Sequence, residues 1–370
     1  MLFNAWPATG TAAPSSPAAA PAAAYDIRAT STAQLLAGIP PAPGDPLIDR
    51  LVATEAWKAH AKIMQADWGR VQERLVEMEK WRDHELVIRD AGRRTLLYPF
   101  SGPDFLNAVT LFPTHRQYMF FSLERPGSQP DLAALSEKQF GRLLENTRHA
   151  MRDIFQRNYF ITDYMTKQLG TDLFKGTVPV ITTMMALTGK RIVHIESVDP
   201  FPDLTRQYAE PDTNRPRKRL AGVRIEYTDI KSGLTQQLTY YSLDATDKAL
   251  EYYPAFLDIV SRNKPATGFL KSASYLLHDH QFKHTREMLL ASADIIVQDD
   301  TGIPYRYFAQ PSWHVKLYGA YARPISGLAY GNQPDLQAAY NAHDKPSPVN
   351  FPFGYHWKSG KSGLMIATRQ

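Results

Sequence analysis

Apolar residues recur three and four apart from Asp45 to about Trp81, in "PLIDRLVATEAWKAHAKIMQADWGRVQERLVEMEKW", with charged residues between them. A stripe of that period lies along one face of an α-helix, so the spacing predicts a helical N-terminal part over about residues 45–90. After Ala91-Gly92 the period changes. "TLLYPF" has the short apolar run of a buried strand, "SGPD" is a turn, "FLNAVTLF" a short helix and "QYMFFSLE" a second strand. Two strands joined by a helix normally lie parallel. "LSEKQFGRLLENTRHAMRDIFQRNYF" predicts a strong helix, its start marked by a capping box between Ser136 and Gln139.

The alternation continues to the C-terminus. "TVPVITTMMAL" predicts a helix, "RIVHIESV" a strand, and "GVRIEYTD" with "LTQQLTYYSLD" an antiparallel hairpin. "DKALEYYPAFLDIVSR" reads as one helix and "FKHTREMLLAS" as another, while "GFLKSASYLLH" fits neither period. "ADIIVQDD" is a buried strand ending in two acids, and "SWHVKLYGAY" a strand. "QPDLQAAYNA" is a short helix, and "FPFGYHW" with "SGLMIATR" a closing hairpin. The sum is an α/β protein with a mixed, largely parallel sheet flanked by helices and antiparallel hairpins in the C-terminal half.

Composition sets the boundaries. The first 24 residues are rich in Ala, Pro, Ser and Thr and cannot build a core. Residues 1–42 therefore read as a disordered Ala/Pro-rich leader or linker, and 43–370 as a single large domain. A complete signal peptide needs a positive start and an apolar stretch of about 7–15 residues, and the opening has neither. Small residues suited to signal cleavage are abundant there, so the start reads as a processed, truncated or misassigned form of a longer exported precursor. No run reaches about 18 apolar residues, so no transmembrane segment is expected.

The chain has no cysteine, which excludes disulfides, thiolate nucleophiles and Cys-ligated zinc. The net charge of +5 suits an anionic ligand without requiring one. The compact basic run "RPRKR" at 215–219 is explained by a solvated loop, and no nucleic-acid fingerprint accompanies it. No nucleic-acid partner is expected.

Acids stand at or just past several strand ends: Asp104, Glu124, Glu196, Asp199, Asp244, Asp299 and Asp300. Each alone is explained by capping of a following turn or helix. In open α/β sheets, however, ligands collect outside the carboxyl ends of the strands. If these strands are parallel neighbours, the acids converge as an acid/base pair or a seat for a divalent cation. The candidate catalytic residues are Asp104, Asp299 and Asp300. Ser101, Lys271, Tyr305 and Arg306 are candidates for substrate binding. The turns at Ser101 to Asp104 and at Asp299 to Tyr305 should then share one sheet edge.

Three other motifs are weaker. "LKSASY" offers Lys271, Ser272, Ser274 and Tyr275 as nucleophile or base, without a G-x-S-x-G elbow; a strand-to-helix junction explains its serines equally well. "HDHQFKH" places His280 and His284 four apart with His278 nearby, but the glutamate of a zinc-protease helix is missing. "SGKSG" fails the phosphate-loop spacing and reads as a hairpin turn.

"LLYPFSGPDFLNAV", "LKSASYLLH", "QDDTGIPYRYF" and "GYHWKSGKSGLMIATR" resemble segments of an uncharacterised family of bacterial exported proteins and lipoproteins, over about Leu97 to Arg369. The resemblance implies export and one continuous fold, and brings no activity, cofactor or catalytic residue. The chain departs from the lipoprotein pattern, having no cysteine to accept lipid. Sequence alone thus leads to an exported, periplasmic or secreted protein and a hydrolase with carboxylates at strand ends. The alternative is a non-catalytic binding or envelope-associated protein.

Overall fold

The computed structural model describes residues 25–160, 173–198, 220–322, 324, 330–342, 346–356 and 362–370. The chain enters through α1 (Ile27–Leu36), α2 (Pro46–Ala53) and α3 (Glu55–Glu85). Thr54 separates the last two: its hydroxyl accepts from Trp57 N and caps α3. Then come β1 (Thr95–Pro99), α4 (Phe105–Leu111), β2 (Gln117–Ser122) and α5 (Glu137–Arg157), which opens on the expected capping box at Ser136. Next are α6 (Val178–Leu187), β3 (Lys190–Val198), β4 (Ala221–Asp229), β5 (Thr235–Ser242), α7 (Asp247–Leu250) and α8 (Pro254–Arg262). The chain continues through β6 (Ala266–Leu270), α9 (Lys283–Ser292), β7 (Ala293–Gln298), β8 (Trp313–Gly319), α10 (Pro334–Ala342) and β9 (Gly363–Arg369).

Among the described residues nine strands form one mixed sheet in the order β3-β4-β5-β2-β1-β6-β7-β9-β8. The five central strands β5, β2, β1, β6 and β7 are mutually parallel. Both flanks are antiparallel: β3 on β4 and β4 on β5 at one side, β9 on β7 and on β8 at the other. Alternate residues of the central strands serve opposite faces. Leu96, Tyr98, Tyr118 and Phe120 join the core beneath α1, α3, α5 and α6. Leu97, Met119 and Phe121 join the core beneath α8 and α9. Burial on both faces is why these strands read as unbroken apolar runs. No helix of the described residues is long and apolar enough to cross a membrane.

Three expectations change. Residues 27–36 are helix α1, inside the stretch read as leader: Ala33, Leu35 and Leu36 are buried, and Thr30 exchanges hydrogen bonds with Ile192 of β3. Small residues pack a helix closely against a sheet edge, so low hydrophobicity did not mean disorder there. Pro254 divides the expected single helix into α7 and α8, because its ring excludes a continuous backbone. "SGLMIATR" pairs with β7 and β8, while Phe353 and His356 make only an isolated bridge. The Ala/Pro-rich opening at 1–24, the basic run at 215–219 and most of "SGKSG" lie outside the described residues.

Candidate active site

Because β1, β6 and β7 are parallel neighbours, the turns that follow them share one edge of the sheet. The turn after β1 begins with Phe100 at φ 54, a left-handed conformation held by donation of its N–H to Phe121 O at 2.7 Å. Ser101, Gly102 and Pro103 complete the corner, and Asp104 closes it. Asp104 Oδ1 accepts from Asn107 N at 3.1 Å, so this acid caps α4. Capping occupies one oxygen. Oδ2 accepts from Tyr98 Oη at 2.9 Å and lies 2.9 Å from Lys271 Nζ.

Lys271 is the first residue after β6, and its ammonium also donates to Asn158 O at 2.5 Å. Asn158 ends α5 in the left-handed conformation at φ 67. Lys271 therefore meets the carbonyl end of a helix as well as a carboxylate. Arg74 of α3 donates to Ile154 O and Phe155 O of the same helix end, each at 3.2 Å. Burial pulls Arg74 down to about 10, and the Asp104 charge pushes the other way. Tyr98 is driven well above its usual phenol range by burial and then by Asp104 and Asp299, so it stays a neutral donor.

Ser272 follows at φ 58, again left-handed, and its N–H donates to Asp299 Oδ2 at 3.1 Å. Consecutive residues of one turn thus hold Asp104 and Asp299. Asp299 Oδ1 accepts from Thr301 N at 2.9 Å and from the Thr301 hydroxyl. Burial, with the neighbouring Asp300 charge second, raises Asp299 to about 6 against the help of those hydrogen bonds. Gly354, at φ 58, rests against the Asp299 carboxylate, where a Cβ would collide with Oδ2. Asp300 Oδ2 lies 3.4 Å from His356 Nε2.

A cavity of about 70 Å³ opens at this edge, lined among others by Ser101, Asp104, Glu124, Tyr159, Lys271 and Ser272. The Oγ atoms of Ser101 and Ser272 are both buried with no hydrogen-bond partner. Two orphaned hydroxyls in one cavity are costly unless something binds there. No protein-family model matches the chain, and no curated protein or solved structure matches it either.

Of the residues proposed from sequence, the structure brings Ser101, Asp104 and Lys271 to the cavity and Asp299 just behind it. Tyr305 and Arg306 lie elsewhere. Tyr305 N donates to Gln333 Oε1, and Arg306 sits over the Tyr307 ring and lines a separate hollow with His278 and Asp335. Asp104 does not pool its charge with Asp299 and Asp300, because Lys271 offsets it. Among the described residues no group of three or more His, Cys, Asp or Glu is placed to hold a metal ion. His278 and His280 line the same hollow as Arg306, and His284 does not. Burial lowers His278 to about 4, His280 faces Asp279 at 3.1 Å, and His284 lies 3.6 Å from Asp247. Glu196 pairs with Arg224 on the antiparallel flank, and Asp244 accepts from Thr246 N. Asp199 lies outside the described residues.

Arg74 and Asn158 escaped the sequence reading, and both left a trace. Arg74 interrupts the apolar stripe of Val71, Leu75 and Met78 on α3. Asn after a strong helix is a common left-handed terminator.

Proposed function

We propose that the chain is a hydrolase acting on a small ester or amide, with Ser272 as its nucleophile. The observation that carries this is Ser272 itself. It is a non-glycine residue in the left-handed region, placed between a central parallel strand and a helical turn, with a buried Oγ that has no partner and lines a cavity. Strain of this kind persists where surrounding structure over-determines it, and a sharp strand-to-helix turn is how α/β hydrolases present a serine. Oγ attacks the carbonyl carbon and forms an acyl–serine bond. Its proton passes to Glu124, the other carboxylate among the described residues lining the cavity, and from there to the departing alcohol or amine. Water then breaks the acyl bond by the reverse sequence. The Lys271 ammonium stabilises the developing oxyanion, and Asp104 and Asn158 hold that ammonium in place. Export to the periplasm or outside belongs to the same proposal; the family resemblance and the absence of cysteine support it.

The test is covalent labelling by a fluorophosphonate probe, read by intact mass and peptide mapping. Wild type should take one adduct at Ser272, Ser272→Ala none, and Glu124→Gln should label more slowly. Complete resistance of wild type would favour the second reading, a non-catalytic binder. One observation speaks for that reading: among the described residues no imidazole lines the cavity to act as a conventional base.

A further inference from the structure

Away from the sheet edge, α3 and α5 leave a groove of about 560 Å³ between them, within the size range of small-molecule sites. Arg70 lines it from α3, and Arg148 and Arg152, one helical turn apart, line it from α5. Asp67 is the lone acid in the lining, and Arg70 already bridges it. Three guanidinium groups against one carboxylate leave the groove positively charged. Its wall is partly apolar, with Ile63 exposed and Phe155 half-buried.

The position of Arg148 is built rather than incidental. His60, fully buried, lies with Nε2 2.9 Å from Leu36 O, and that carbonyl can only accept. Nε2 therefore carries the proton, and Nδ1 is left to accept from Arg148 Nη1 at 3.1 Å. Burial lowers His60 to about 4, so the imidazole is neutral at ordinary pH. A neutral acceptor therefore orients the Arg148 guanidinium without bringing a carboxylate to it. Among the described residues no carboxylate bridges Arg148 or Arg152.

We propose that this groove binds a phosphate-bearing anion with an apolar portion. Planar guanidinium forks converging from two helices suit a group with several equivalent oxygens and more than one negative charge. Ile63 and Phe155 would meet the apolar part.

The experiment uses the full chain, with inorganic pyrophosphate in calorimetry and vesicles of phosphatidylglycerol or phosphatidylcholine in flotation. Arg148→Gln/Arg152→Gln should weaken binding at least tenfold, and so should the exposed single variant Arg70→Gln if the double variant folds poorly. Arg142→Gln, on α5 but outside the groove, should leave it unchanged. Binding of pyrophosphate marks a free phosphoanion as the ligand; binding of phosphatidylglycerol vesicles alone marks a lipid headgroup. Either supports the proposal. Binding of neither probe overturns it, and so does an equal loss in Arg142→Gln, which would reduce the effect to net charge.

Discussion

Lys271 Nζ lies 2.9 Å from Asp104 Oδ2, and the two side chains are 1% and 2% exposed. A pair so deeply buried gains little over an apolar pair, yet breaking it strands a charge. Asp104→Asn keeps the cap on α4 but leaves the ammonium with no opposing charge, only the Asn158 carbonyl. It should cost about 3–5 kcal/mol in urea denaturation. Adding Lys271→Met should recover much of that loss. A cap alone predicts a neutral Asp104→Asn, and three crowded acids predict a stabilising one. Either result would remove the ion pair from the account of this site.

Asp299 yields a pH dependence whose sign is fixed. Its folded value is near 6, above the ordinary carboxylate value of about 3.9 in an unfolded chain. The native state therefore holds this proton more tightly. Stability associated with the protonated acid is fully present below about pH 4 and is lost as pH rises through 6. Asp299→Asn removes the titration. Its stability relative to wild type should climb between about pH 4 and 6 and level off above, at about 1–3 kcal/mol. A flat difference across that window would mean that Asp299 is not held protonated.

Ser272 separates strain from chemistry. Glycine accepts a φ of 58 without the Cβ penalty, while alanine does not. Ser272→Gly should be more stable than Ser272→Ala by about 0.5–1 kcal/mol, and neither should take the fluorophosphonate label. Urea midpoints of the two variants measure the difference. Equal midpoints would show that the turn carries no strain.

Helix α1 belongs to the folded unit. Leu36 is fully buried, and the carbonyls of Leu35 and Leu36 are bound by Trp57 Nε1 and His60 Nε2 of α3. Leu36→Ala should cost about 2–5 kcal/mol. A loss under 1 kcal/mol in urea denaturation would return this stretch to the status of a leader.

Local pattern was enough for most of the elements and for their class, but not for α1, the break at Pro254 or the partners of β9. Apolar runs in β1, β2 and β7, the helical period of α3 and α5, and the Ser136 box all express short-range preferences that side chains carry by themselves. The shared edge was legible too, since a strand–helix–strand unit and strand-end acids imply parallel neighbours with their carboxyl ends together. Tertiary structure decided which charges meet. Asp104 and Lys271 are 167 positions apart in the chain, and nothing in the spacing of either tells it from a cap or a surface lysine. Pairing them requires β1 beside β6 and α5 ending over both strands. The left-handed turn at Ser272 was equally hidden, because serine gives no local signal for a positive φ. Packing around β6 imposes it. Periodicity records what a residue does to its own segment, whereas charge compensation and backbone strain depend on neighbours that only the folded chain supplies.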